Sequence, residues 1–230
     1  MSNLQNKHQS MSSDDNFIYL TVALTTLLVA MAFAQQFFDT SVQRLVQSAT
    51  VVTLITVVWR ADVSEFVTRK NYIFLVVIFF NAVAGYWLDS SNLQYTHVLI
   101  LLVFFILTAL RVAKQVLFSG EVTGNNILGA ICLYILMGLI WALGYTLVAM
   151  MFTNSFNGVG ETHNWFDLLP TFVYFSFVTL TTLGFGDISP VIAIARMLVY
   201  LEAVVGQFYL TILVASLVGA HMSNRAKTKS

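Results

Sequence analysis

Charge, proline and cysteine are all scarce in this chain, and each scarcity excludes something. Only 10% of its 230 residues are Asp, Glu, Lys or Arg, against about 25% in soluble globular domains. Eleven cations and eleven acids cancel to zero formal charge. No basic block stands out, so nucleic-acid binding has no electrostatic basis. The single cysteine, Cys132, excludes an intramolecular disulfide framework and a Cys-rich metal site. His8, His97, His163 and His221 are scattered without ligand spacing. No nucleophile-elbow or phosphate-loop motif appears, so no enzymatic activity is expected. Asn154-Ser155 does not form a glycosylation sequon. Internal repeats and Pro/Gly/Ser linkers are also missing.

Apolar residues make up the difference, at 58% of the chain with a mean hydropathy of +0.79. Too little polar surface remains to cover a water-soluble core, which places the chain in a bilayer. A span needs roughly 20 residues, and the charges cut the sequence into six apolar runs: 17–34, 45–59, 71–88, 90–110 (continuing towards 118), 127–152 and 193–222. Flanking Arg and Lys that snorkel make the shorter runs long enough. The expected fold is therefore an all-α membrane protein with six transmembrane helices. Lys7, the first apolar run and Ala32-Phe33-Ala34 imitate a signal peptide. Asp14 and Asp15 directly precede that run, however, and favour a retained helix.

Cation placement sets the expected orientation. Arg60, Arg69 and Lys70 lie between the second and third runs. Arg111 and Lys114 follow the fourth, and Arg225, Lys227 and Lys229 follow the sixth. The other side holds Asp39, Asp89, Glu161, Asp167 and Asp187, with Arg44 and Arg196 as exceptions. The positive-inside rule then puts both termini in the cytoplasm of a multi-pass cell-membrane protein. Trp59, Trp87, Trp141 and Trp165 are expected near span ends as interfacial anchors.

Both prolines, Pro170 and Pro190, fall in one stretch between the fifth and sixth spans. There the run 168–180 is too short to cross a bilayer, and its length suits a re-entrant helix. Asp167 is expected to cap that helix and Pro170 to occupy its first turn. Gly184 and Gly186 then stop it. Irregular backbone at membrane depth is tolerated only where it lines a polar cavity or is buried in protein. Glycines on alternate positions let successive carbonyls point the same way, because only glycine enters left-handed dihedrals freely. An ordinary glycine turn would explain the glycines but not Thr179, Thr181 and Thr182 leading into them.

The string Thr182-Leu183-Gly184-Phe185-Gly186-Asp187 resembles the potassium-channel filter pattern Thr-Val-Gly-Tyr-Gly-Asp. The wider string TLTTLGFGD is most similar to filters of two-pore-domain potassium channels, several of which carry Phe at the aromatic position. The resemblance covers roughly residues 127–221. It implies that permeant K+ is held by the hydroxyl and carbonyl of Thr182 and the carbonyls of Leu183, Gly184 and Phe185, in a filter running through Gly186. One filter per chain implies a homotetramer embedded in membrane lipids. Tyr174 and Phe175 stand where many relatives have two Trp. Tyr174 keeps a hydroxyl that is expected to serve Asp187. Phe175 and Phe185 together remove a donor and its acceptor, which strands neither. Thr181 leads into the filter, and Val178 replaces the acidic brace that some relatives place behind it.

Arg196 and Gly206 reproduce the family's inner-helix spacing. Gly206 is either a hinge or a close-packing position, since glycine weakens a helix by about 1 kcal/mol and also lets helices approach. Helical spacing would direct Gln207, Leu210 and Val214 to the cavity. Glu202, the one acid inside a span, is a gating candidate, either behind the filter or at the cavity rim.

The organisation expected is an N-terminal segment 1–16, a four-helix membrane domain 17–118, a pore domain 119–222 and a tail 223–230. The four-helix domain is sensor-like in position only. Arg111 and Lys114 are its cations at the fourth span, so strong voltage gating is not expected. So short a tail implies no cytoplasmic ligand-binding domain. Beside a potassium-selective channel stand a weakly selective monovalent cation channel, an ion-coupled transporter and a non-conducting channel subunit. A transporter would more often show inverted repeats and paired broken helices.

Overall fold

Uninterrupted apolar runs become helices because lipid offers backbone groups no partner outside their own segment. The computed structural model describes residues 16–37, 91–117, 124–160 and 164–227. Its elements are α1 (Asn16–Phe37), α2 (Ser91–Leu117), α3 (Gly124–Met151), β1 (Phe156–Asn157), α4 (Trp165–Leu180), β2 (Ser189–Pro190) and α5 (Ala193–Lys227). Four of the helices, α1, α2, α3 and α5, are long and apolar enough to cross a membrane, and α4 is the short apolar one. They correspond to the expected spans one, four, five and six and to the re-entrant helix. The expected spans 45–59 and 71–88, with Trp59 and Trp87, lie outside the described residues.

Helix α3 is apolar around its whole circumference and occupies the centre, touching α1, α2, α4 and α5. Such a helix has no polar face to present to water, so it is buried. In lipid the drive for this assembly is packing and hydrogen bonding rather than escape from water. Gly138 of α3 shows the packing: a Cβ there would lie 2.7 Å from the Phe177 ring of α4. Apart from Tyr134 Oη, which has no partner among the described residues, buried hydroxyls are satisfied, some of them locally by the i−4 bonds of Thr108 to Phe104 O and Thr146 to Ala142 O, both at 2.8 Å. Others tie helices together. Tyr95 Oη donates to Met150 O at 2.6 Å, and Tyr209 Oη to Ala130 O at 2.5 Å. Helix α1 belongs to the same core, with Leu20, Leu24 and Leu27 buried and Thr21 Oγ1 2.9 Å from Cys132 Sγ.

The structure amends several expectations. Helix α4 begins at Trp165, capped by Asn164, whose side chain accepts from Phe166 N–H at 3.3 Å. Asp167 therefore sits in the first turn rather than at the cap, and Pro170 lies inside the helix. The earlier start follows from Trp165, whose ring packs on His97 of α2 with centroids 4.7 Å apart. Trp141 is not at a span end. It lies within α3 and packs on Tyr145. Helix α5 continues to Lys227, past the expected boundary at 222. Its 35 residues extend roughly 50 Å, well beyond a 30 Å hydrocarbon core. A two-residue antiparallel pair, Phe156 with Pro190 and Asn157 with Ser189, joins the loop after α3 to the segment before α5. Two residues carry no periodicity, so this pairing leaves no sequence signal.

Candidate functional site

Helix α4 ends at Thr181, whose N–H still reaches Phe177 O at 3.0 Å and whose hydroxyl bonds the same carbonyl at 2.6 Å. From there the chain reverses. Thr182, Gly184 and Gly186 take φ of +60°, +57° and +78°, while Leu183 and Phe185 between them stay outside the positive-φ region. The glycines enter the left-handed region freely, but Thr182 does so at a cost of roughly 1–2 kcal/mol. Strain of this kind persists only where surroundings over-determine the backbone. Here they do. Thr182 N–H donates to Thr179 O and Leu183 N–H to Val178 O, both at 3.0 Å, and Gly184 N–H reaches Val178 O at 3.4 Å.

These bonds fix where the carbonyls go. A trans peptide carries its N–H and the preceding C=O on opposite sides, and no cis bond is present among the described residues. With the amides of 182–184 turned back onto α4, the carbonyls of Thr181, Thr182 and Leu183 point away from it. The result is a row of oxygens on one side of an exposed segment: residues 181–187 are all exposed in the subunit, with Leu183 61% and Phe185 66% accessible.

The segment is anchored at its far end too. Tyr174 Oη donates to Asp187 Oδ2 at 2.7 Å, and Ile188 N–H donates to Asp187 Oδ1 at 3.0 Å. The bond to Asp187 raises the Tyr174 phenol above its usual range, first through the hydrogen bond itself. Val191 N–H to Ser155 O at 2.8 Å then returns the chain to the β pair. Val178, buried, contributes its carbonyl as described. Phe175 is also buried, in an aromatic cluster 5.2 Å from Tyr145 and 5.9 Å from Phe156. No ring contact joins it to Phe185 within the subunit.

On α5, Glu202 is fully buried between helices. Its carboxyl meets Tyr145 Oη of α3 and lies 2.5 Å from Ser176 Oγ of α4. It therefore stands behind α4 and not at a solvent-exposed rim. One turn on, Gly206 lies against the end of α4, where a Cβ would come 3.0 Å from Leu180 O and 2.7 Å from Leu180 Cδ2. The pairs 176–202 and 180–206 thus set the register of α4 on α5. Helix α5 is unbroken through Gly206. Gln207 is exposed and Leu210 half-buried, while the side chain of Val214 is outside the described residues.

Sequence reasoning missed Tyr145, Ser176 and Leu180 as part of this arrangement. A tyrosine, a serine and a leucine in apolar helices have unremarkable spacing, and only Glu202, which needs partners when buried, signalled that polar groups must face it.

Residues 131–222 match the family model described as "Ion channel", a stretch that contains most of α3, all of α4, the reversed segment and most of α5. That match, with the apolar helices, supports a membrane-embedded passive ion channel. No curated protein and no solved structure matches the chain.

Proposed function

We propose that the chain is one subunit of a homotetrameric, potassium-selective channel that conducts K+ passively across the cell membrane. The observation that carries this reading is the handed alternation at Thr182, Gly184 and Gly186, with the amides of 182–184 bound to α4. Carbonyls turned to one side replace the hydration shell of a permeating cation. In this reading Thr182, Leu183, Gly184 and Phe185 supply the K+ oxygens, Gly186 permits the exit turn, and Asp187, Tyr174, Phe175, Val178 and Thr181 hold the strand in place. A coordination cage around an axis needs four such strands, and each chain has one. Among the described long helices α5 is the least buried, with Tyr200, Val204, Phe208 and Ile212 exposed. Neighbouring subunits and lipid would cover that face. Gln207, Leu210 and Val214 would line the cavity, where the C-terminal end of the α4 dipole favours a cation. Both termini lie in the cytoplasm, and Arg111 and Lys114 mark topology rather than sense voltage.

Purified protein in a planar bilayer, under opposed K+ and Na+ gradients, tests the reading. The zero-current potential should follow the K+ gradient. A potential indifferent to it, with current present, would leave a weakly selective cation pore. No current from verified tetramers would leave a non-conducting subunit.

A further inference from the structure

Deepening the channel reading on which it rests, we propose that Glu202 is an uncharged hydrogen-bond donor. Its proton completes a chain from Tyr145 through Glu202 and Ser176 to the Gly138 carbonyl that positions α4, and with it the filter. Three close oxygen–oxygen contacts make up this chain. Tyr145 Oη meets Glu202 Oε2, Ser176 Oγ lies 2.5 Å from Glu202 Oε1, and the same Ser176 Oγ lies 2.8 Å from Gly138 O. Each contact needs a hydrogen, and each hydroxyl brings one. The Gly138 carbonyl can only accept.

Tyrosine and serine thus supply two hydrogens for three contacts, and the third belongs to the carboxyl. With Glu202 protonated on Oε1, Tyr145 donates to Oε2, Glu202 donates to Ser176 Oγ, and Ser176 donates to Gly138 O. Every contact is then satisfied in one direction. An ionised Glu202 would force Ser176 to split one hydrogen between two acceptors. It would also leave a charge at zero exposure with no cationic side chain acting on it among the described residues. Uncompensated buried charge is far costlier than a neutral, hydrogen-bonded acid.

The chain has a mechanical consequence. It links α3, α4 and α5 one helical turn from the contact of Gly206 with Leu180, and Leu180 directly precedes the turn into the filter. Ser176 is therefore held from both sides, by α3 through Gly138 and by α5 through Glu202. Glu202 acts on the filter through α4 as a positioning residue.

Substituting Glu202→Gln preserves shape, keeps an acceptor for Tyr145 and supplies an N–H donor to Ser176, so a neutral donor replaces a neutral donor with one further N–H added. Glu202→Ala and Ser176→Ala each break the chain and strand a buried polar group. The test compares full-length wild type and the three variants, purified and reconstituted. Infrared difference spectra of wild type against Glu202→Gln should show a protonated-carboxyl C=O stretch at neutral pH, present only in wild type. Thermal midpoint and K+ flux of Glu202→Gln should match wild type. Glu202→Ala and Ser176→Ala should lose flux by roughly tenfold or more and unfold earlier, a penalty in keeping with stranded buried polar groups. A carboxylate band in place of the acid band would overturn the proposal. So would an early-melting Glu202→Gln, or alanine variants that melt and conduct like wild type. The spectrum and the melting order decide this point even if wild type passes no K+, an outcome that would instead refute the channel reading.

Discussion

Replacing Gly206 by alanine separates the two roles its position suggests. A methyl there would meet Leu180 at three atoms: Cδ2 at 2.7 Å, the carbonyl oxygen at 3.0 Å and Cα at 3.2 Å. The Cδ2 tip could rotate if it had room, but Leu180 is fully buried. The carbonyl and Cα move only with the last turn of α4. Overpacking of this kind costs about 1–3 kcal/mol. Against it stands the gain in helix propensity from Gly to Ala, about 1 kcal/mol. The net expectation is a destabilisation of up to roughly 2 kcal/mol per subunit. Gly144 in α3 supplies the control, because nothing among the described residues lies within 4 Å of a Cβ there. Gly144→Ala therefore reports the propensity gain alone. Thermal or denaturant unfolding in detergent should place Gly206→Ala below wild type and Gly144→Ala at or above it. Reconstituted flux should fall in the first variant only, since Leu180 lies next to the residues whose amides fix the segment proposed as the filter. Were Gly206 a hinge without tight packing, both alanines would stabilise alike. That result would refute the packing argument.

Three further outcomes are expected. Gly184→Ala has open space around its new Cβ, so its cost is the left-handed dihedral, roughly 1–2 kcal/mol. K+ over Na+ selectivity should drop in bilayer recordings, and wild-type selectivity would show that the positive φ is not needed. Tyr174→Phe removes the donor to Asp187, and single-channel records should show shorter open periods. Unchanged gating would mean that Ile188 N–H alone holds Asp187 in place. Neutralising Arg111 and Lys114 together should leave the conductance–voltage curve shallow and unshifted. Each charge that crosses the field contributes about 2.3 kcal/mol per 100 mV, so a clear shift would reveal gating charge in α2.

Much of the region from α3 to α5 is readable from local rules. The charge-free run 127–152 and the run 193–222, which carries only Arg196 and Glu202, are long enough to span, 168–180 is not, and alternate glycines end it. Those facts depend on neighbours in sequence, which is why α3, α4 and α5 fall close to their expected places. The start of α4 is misplaced by those rules because its partner lies far along the chain. Trp165 joins α4 with its ring packed on His97, and Trp141, half-buried within α3, packs on Tyr145 one turn further along the same helix.

By itself, the sequence determined that the chain belongs in a bilayer and where its backbone must break, at the glycine-containing stretch Thr182–Asp187. Hydropathy, proline and glycine act within a few residues, so pattern alone carries them. Only the tertiary structure decided that Thr182 joins the glycines in the left-handed region, and that Glu202 faces Ser176 and Tyr145. It also decided that Gly206 is the contact point of α5 on Leu180. The Thr182 dihedral depends on how the chain folds back onto the end of α4. The other two depend on one helix meeting another at a particular register, which is set by packing across the bundle rather than by periodicity along the chain.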